Sequence, residues 1–133
     1  MATLPQDANS LASFLETHHT RWYYEELRNY LGPRLESEPV TARFAPRQKL
    51  VKLTAHQFDE LSTDVYDEVL RRKYYSNSNP VTCLPERNDF HPKRNQARQK
   101  LATLPASRFA DLLSDVFYDL GRRYPELKDK SLQ

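Results

Sequence analysis

The sequence predicts an all-α fold: two tandem helix-turn-helix hairpin repeats behind an N-terminal helix, packed as a compact helical bundle. Three observations carry this expectation. First, one stretch is written twice. Arg47 to Tyr74, RQKLVKLTAHQFDELSTDVYDEVLRRKY, aligns without a gap to Arg98 to Pro125, RQKLATLPASRFADLLSDVFYDLGRRYP, at an offset of 51 residues with 12 of 28 positions identical. Such a period marks duplicated supersecondary units, neither able to bury its apolar face alone. Second, each copy carries apolar residues at helical spacing: Phe58, Leu61, Val65 and Val69 in one, Phe109, Leu112, Val116 and Leu120 in the other. Third, only two glycines, Gly32 and Gly121, occur in 133 residues, while nine prolines fall mostly between the periodic stretches. That argues against a turn-rich β fold and for helices punctuated by proline.

The elements follow in chain order. Residues 1–19 are expected to be poorly ordered or partly helical, because only Leu11, Phe14, Leu15 and His18 show helical spacing. From Thr20 the pattern firms: Tyr23, Leu27, Tyr30 and Leu31 form a stripe flanked by Trp22, and Gly32-Pro33 ends the helix. Residues 33–42 read as a polar connector. Repeat one spans about 43–74: a short helix with Pro46 in its first turn and Leu50 and Leu53 inside, then a long helix opened by a capping box, Thr54-x-x-Gln57. Glu68 and Arg72 form an i,i+4 pair worth only ~0.3–0.5 kcal/mol on a surface, and Arg71-Arg72-Lys73 complements the helix dipole. Residues 75–91 are the inter-repeat loop, expected to be packed through Val81, Cys83, Leu84 and Phe90. Repeat two spans about 94–125, with Pro92 opening its short helix, Pro105 starting its long one and Tyr124-Pro125 stopping it. Gly121 within that helix costs roughly 1 kcal/mol against alanine. Residues 126–133 read as a frayed polar tail. Residues 20–125 thus form a single helical domain, in which Leu61→Asp or Leu112→Asp is expected to unfold the core.

Composition narrows the function classes. Twenty basic against 18 acidic residues give a net charge of only +2, too mild to demand nucleic acid or an anionic membrane. The single cysteine, Cys83, excludes an internal disulfide and fits a reducing compartment. No apolar run approaches the ~20 residues of a membrane helix, and the N-terminus lacks the pattern of a secretory signal.

Candidate chemistry is sparse. Asp64 and Asp115 stand at equivalent mid-helix positions, where aspartate has poor propensity. Counting back symmetrically from each hairpin turn places Arg43 beside Asp64 and Arg94 beside Asp115, so these four residues are read as structural ion pairs rather than as paired acid–base carboxylates. His18, His19, His56 and His91 have no metal-ligand spacing, Cys83 has no evident base, and no glycine-rich phosphate loop exists. The chain is read as non-enzymatic, with no metal and no cofactor. His91 to Lys100, HPKRNQARQK, is the densest basic run; a nucleic-acid-binding helical module using Lys93–Lys100 is the alternative reading, weaker than a solvated face or a surface receiving acidic groups of a partner. If Tyr66 and Phe117 line a groove between hairpins, they suit a peptide. Tyr66, Arg71, Lys93, Arg98, Phe117 and Tyr118 are the candidate peptide contacts.

The phrases QKLxxLxxxxFxELSTDVYDE, with RR following, and FHPKRNQARQKLATLPxSRFxDLxSDVFYDLxRR closely resemble the tandem repeats of the Spa-homology domain, found in the fungal polarisome scaffold and in animal GIT scaffolds. The resemblance covers roughly residues 40–124. The zinc-finger and ankyrin segments that precede the module in GIT proteins have no counterpart in this sequence, which favours the fungal scaffold. The resemblance implies a non-catalytic docking domain of a cell-polarity scaffold, cytoplasmic at the cortex of growing tips, buds and septa. It implies partners among short linear peptides of Rab GTPase-activating proteins and MAP kinase kinases, together with other polarisome components, and implies that this is the N-terminal part of a longer scaffold. Neither nucleic-acid binding nor membrane insertion is expected, and the domain itself is expected to be monomeric.

Overall fold

Helix α1, Ala8–Leu31, buries Tyr24, Leu27 and Leu31, a stripe at i, i+3 and i+7. It begins at Ala8, inside the stretch expected to be poorly ordered or partly helical. It stops where Gly32 takes φ +54 and donates its N–H to the Arg28 carbonyl at 3.0 Å; a Cβ would be strained there. The computed structural model describes residues 8–37, 43–74 and 82–128. Within the expected connector, Arg34–Ser37 forms a one-turn helix, α2; residues 38–42 lie outside the described residues, as does Val81 of the loop.

Each repeat then supplies a short helix and a long one: α3 (Phe44–Val51) and α4 (Ala55–Tyr74), then α5 (Pro92–Leu101) and α6 (Ala106–Arg123). The capping box forms reciprocally. Thr54 N–H donates to Gln57 Oε1 at 3.0 Å and Gln57 N–H to Thr54 Oγ1 at 3.1 Å. At α5 the equivalent duty falls to His91, whose Nδ1 accepts from Lys93 N–H at 3.0 Å. The loop before α5 is held by Asn95, which accepts from the Arg87 N–H at 3.1 Å and donates to the Arg87 carbonyl at 2.9 Å. Leu84 is buried and Cys83 half-buried. Phe90 lies under the guanidinium of Arg94, 3.8 Å from its centroid, with Arg87 and Arg98 also near its ring.

The core is built where α1 lies across α4 and α6. Leu27, Val65, Val69, Phe109, Leu113 and Val116 are fully buried, with Phe58 and Leu120 close behind. The stripe therefore runs Phe58-Ser62-Val65-Val69 and Phe109-Leu113-Val116-Leu120, a step of four from each phenylalanine. Leu61 and Leu112, expected at the centre, are half-buried at its edge. Ser62 is tolerated inside because its hydroxyl donates to the Phe58 carbonyl at 2.9 Å.

Past α6 the tail is not frayed at first. Pro125–Lys128 makes a 3-10 turn that buries Leu127. The turn lays Lys128 over Gly121, where a Cβ would stand 2.6 Å from Lys128 Cε. The obstacle is the far end of a flexible side chain. Gly121→Ala is therefore expected to stabilise by about 0.5–1 kcal/mol through helix propensity, read in a urea melt; a loss would show that the Lys128 contact outweighs propensity.

The short helices do not fold back on their own long helices. Helix α3 packs on α6, and α5 packs on α4. The two repeats exchange their short arms.

Candidate functional site

The exchange is written in charge. Arg43 donates from Nε and Nη2 to the two Asp115 oxygens, both at 2.8 Å. Arg47 adds a bond from Nε to Asp115 Oδ1 at 3.1 Å and one from Nη2 to Ser114 Oγ at 2.8 Å, and its guanidinium lies 4.7 Å over the Tyr118 ring. At the equivalent place Arg94 Nη2 donates to Asp64 Oδ1 at 2.9 Å and Arg98 Nη1 to the same oxygen at 2.7 Å. The expected partners Arg43–Asp64 and Arg94–Asp115 are thus reversed: each arginine reaches across to the other repeat. The symmetric count assumed that each hairpin closes on itself, and it does not. Burial of the Arg98 guanidinium disfavours its charged form, but hydrogen bonds to Asp64 and Asp67 outweigh this and hold its pKa above the ordinary arginine value.

A second pair of exchanged contacts closes the far ends of the arms. Arg72 Nη2 donates to the carbonyls of Leu101 and Leu104, both at 2.9 Å, with its guanidinium 4.0 Å over the Phe109 ring. Arg123 Nη2 does the same to Leu50 and Leu53, both at 2.9 Å, 4.3 Å over Phe58. Each long helix so holds carbonyls at the end of the other repeat's short helix. Glu68 and Asp119, both without exposed side-chain surface, orient these forks: Glu68 accepts from Arg72 Nε at 2.8 Å, Asp119 from Arg123 Nε at 2.6 Å. The Glu68–Arg72 pair is therefore a buried, hydrogen-bonded unit and not the weak surface pair expected from spacing. Arg47, Arg72 and Arg123 were missed as structural residues. The signal was present, since Arg47/Arg98 and Arg72/Arg123 are identical between the copies.

Of the candidate peptide contacts, Arg98 is buried among Asp64 and Asp67 and presents nothing to a partner. Arg71 is tied to Glu68 at 2.6 Å. Tyr66 and Phe117 do not line an open groove: α1 fills the space between the repeats. Tyr23 meets Tyr66 with ring centroids 4.6 Å apart, and Tyr24 meets Phe117 at 4.4 Å. Adjacent residues on a helix point about 100° apart, so one turn of α1 serves both repeats. Burial, with Glu26 nearby, raises the Tyr66 phenol above its ordinary pKa. Lys93 and Tyr118 remain exposed, but on different elements.

An open concavity lies elsewhere, between α3 and α6. It is a cleft of about 500 Å³. Pro46, Leu50, Leu104 and Leu112 give it an apolar lining, and Lys49 and Arg108 stand beside them as exposed cations. Its other charges are paired: Asp115 with Arg43 and Arg47, Asp111 with Arg34 and, at 3.8 Å, with Arg43. Among the described residues no helix is long and apolar enough to cross a membrane, and no group of three His, Cys, Asp or Glu residues is placed to hold a metal. What the arrangement offers is a surface for binding.

The profile of the family described as the Spa2 homology domain (SHD) of GIT matches residues 47–74 and 97–124, the two copies of the repeat. Protein SPA2 of Saccharomyces cerevisiae is 44% identical over 90 residues, which are 65% of this chain and 6% of that protein. The human ARF GTPase-activating protein GIT2 is 38% identical over 92 residues, 59% of this chain and 12% of that protein. The chain therefore spans a small part of the length of these relatives. A solved structure, "Solution structure of SPA-2 SHD", is 43% identical, with a TM-score of 0.64, and is covered over 86% of its length by 80% of this chain. The profile falls on the two copies of the repeat and the likeness to the solved domain extends to the fold, and the chain belongs to the Spa2 homology domain family.

Proposed function

We propose that this domain docks short segments of Rab GTPase-activating proteins and MAP kinase kinases, holding them at cortical sites of polarised growth alongside other polarisome components. The family is one of non-catalytic scaffold domains, and the observation that carries the finer reading is the 44% identity to Protein SPA2. The geometry supports docking over chemistry. The recurring Arg43/Arg94, Arg47/Arg98, Asp64/Asp115 and Arg72/Arg123 are engaged in holding the two arms together, and a cleft with apolar lining is left open.

The nucleic-acid reading loses its footing on the same geometry. Of the four cations in the run from Lys93 to Lys100, Arg94 and Arg98 are committed to Asp64, which leaves two lysines for phosphate. Lys93 and Tyr118 stay proposed as accessory peptide contacts; Tyr66 and Phe117 would have to part from α1, and Arg71 from Glu68, to join them.

Calorimetry with N-terminal segments of a Rab GTPase-activating protein and of a MAP kinase kinase tests the reading. Micromolar affinity, about −8 kcal/mol, is expected for at least one. Silence from all of them at tens of micromolar, about −6 kcal/mol, would remove the proposal.

A further inference from the structure

We infer that the cleft between α3 and α6 is the docking site, and that its occupant is a short amphipathic, acidic segment. Leucine-like side chains would enter the apolar lining, and flanking carboxylates would meet Lys49 and Arg108. This deepens the docking reading and rests on it.

Three observations converge. Leu50, Leu104 and Leu112 recur at core spacing in the sequence, yet each is only half-buried and faces the same cleft. Apolar surface held open at a concavity is what a docking groove requires, and about 500 Å³ lies within the ~300–1,000 Å³ of ligand sites. The charges decide the sign of the partner. Asp115 is offset by Arg43 and Asp111 by Arg34. Lys49 and Arg108 are exposed, and neither has a carboxylate partner among the described residues. The residual field is positive, so complementarity selects carboxylates. An amphipathic segment laid in a groove presents anchors at i, i+3, i+4 and i+7 with charge on the flanks.

The duplication provides an internal comparison. At an offset of 51, Leu101, Leu53 and Leu61 stand where Leu50, Leu104 and Leu112 stand, and Lys100 replaces Lys49. Gln57 replaces Arg108, and its side chain is occupied with the Thr54 N–H at 3.0 Å. Ala97 replaces Pro46. The α4–α5 face therefore keeps the leucines but lacks the second cation. An acidic ligand is expected to choose α3–α6.

The probe is a synthetic peptide with leucine at i, i+3, i+4 and i+7 and glutamate at the flanking positions. Two controls replace every glutamate by lysine or every leucine by serine. Fluorescence anisotropy and amide chemical-shift mapping read the result. The acidic leucine peptide is expected to bind, with shifts in α3 and the first half of α6, and both controls are expected to stay silent. Lys49→Glu/Arg108→Glu should weaken binding by about tenfold. Both residues are exposed, so an unchanged thermal melt verifies that the fold is intact. No binding, equal binding of the lysine peptide, shifts confined to α4–α5, or an unaffected double variant would each overturn the assignment. So would concentration-dependent sedimentation of the unliganded domain that the double variant abolishes, because the occupant would then be a second copy. If the Rab-regulator or kinase segments bind the double variant undiminished, docking stands and the cleft falls. If those segments bind neither protein, docking itself falls.

Discussion

Asp115→Ala is expected to cost about 3–5 kcal/mol of stability, because it removes a buried carboxylate shared by two guanidinium groups. Arg43 is left with Asp111 at the longer distance of 3.8 Å. Arg47, a buried residue, keeps the Ser114 hydroxyl and the Tyr118 ring. The equivalent change, Asp64→Ala, is expected to cost less. Arg98 retains Asp67 at 2.9 Å and Arg94 retains Glu60 at 3.1 Å. Urea denaturation of the two variants ranks them. A double-mutant cycle then tests the exchange itself: Arg43 and Asp115 should couple by about 0.5–3 kcal/mol, while Arg43 and Asp64 should be additive. Coupling between Arg43 and Asp64 would mean that each hairpin closes on itself, contrary to the arrangement described.

Leu113→Asp is expected to abolish folding. Leu113 is fully buried where α1 and α6 meet the core, and a carboxylate there has no cation to pair with and no water. The milder Leu113→Ala should cost about 2–5 kcal/mol through lost contact and the cavity left behind. Leu112, one residue earlier, lines the cleft and is half-buried, so Leu112→Ala should cost at most about half as much. Thermal melts of the two alanine variants decide between neighbours that the sequence pattern does not separate. Equal losses would return Leu112 to the core and take the floor out of the cleft.

These two cases also show where sequence reasoning reached and where it stopped. A helical stripe read by eye admits a step of three or four from Phe109. Both Leu112 and Leu113 satisfy an apolar pattern, and only packing against α1 selects the second. The buried serine at 62 is harder still, because its polar atom is satisfied by a carbonyl of its own helix and leaves no mark in composition. Leu127 was hidden for another reason: a lone leucine in a charged tail has no periodicity, and its burial depends on a turn folding back over Gly121. The aromatic pair Tyr66 and Phe117 was readable as equivalent and as candidate lining of a groove between the repeats. That α1 rather than a ligand covers them required the position of a helix distant in sequence. The cleft was illegible for the same reason, since its walls come from α3 and α6.

By itself the sequence determined the repeat helices, the Thr54–Gln57 capping box, the duplication and Arg43, Asp64, Arg94 and Asp115 as ionic residues of its joints, because these follow from local spacing, backbone satisfaction and equivalence between copies. Which arginine meets which aspartate was decided by the tertiary structure alone. Asp64 and Asp115 occupy the same position in their repeats, as do Arg43 and Arg94, so pairing within a repeat and pairing across repeats satisfy the same residue types equally well. What breaks that degeneracy is the path of the chain, which carries α3 onto α6 and α5 onto α4, where Arg123 and Arg72 hold the arms by their terminal carbonyls.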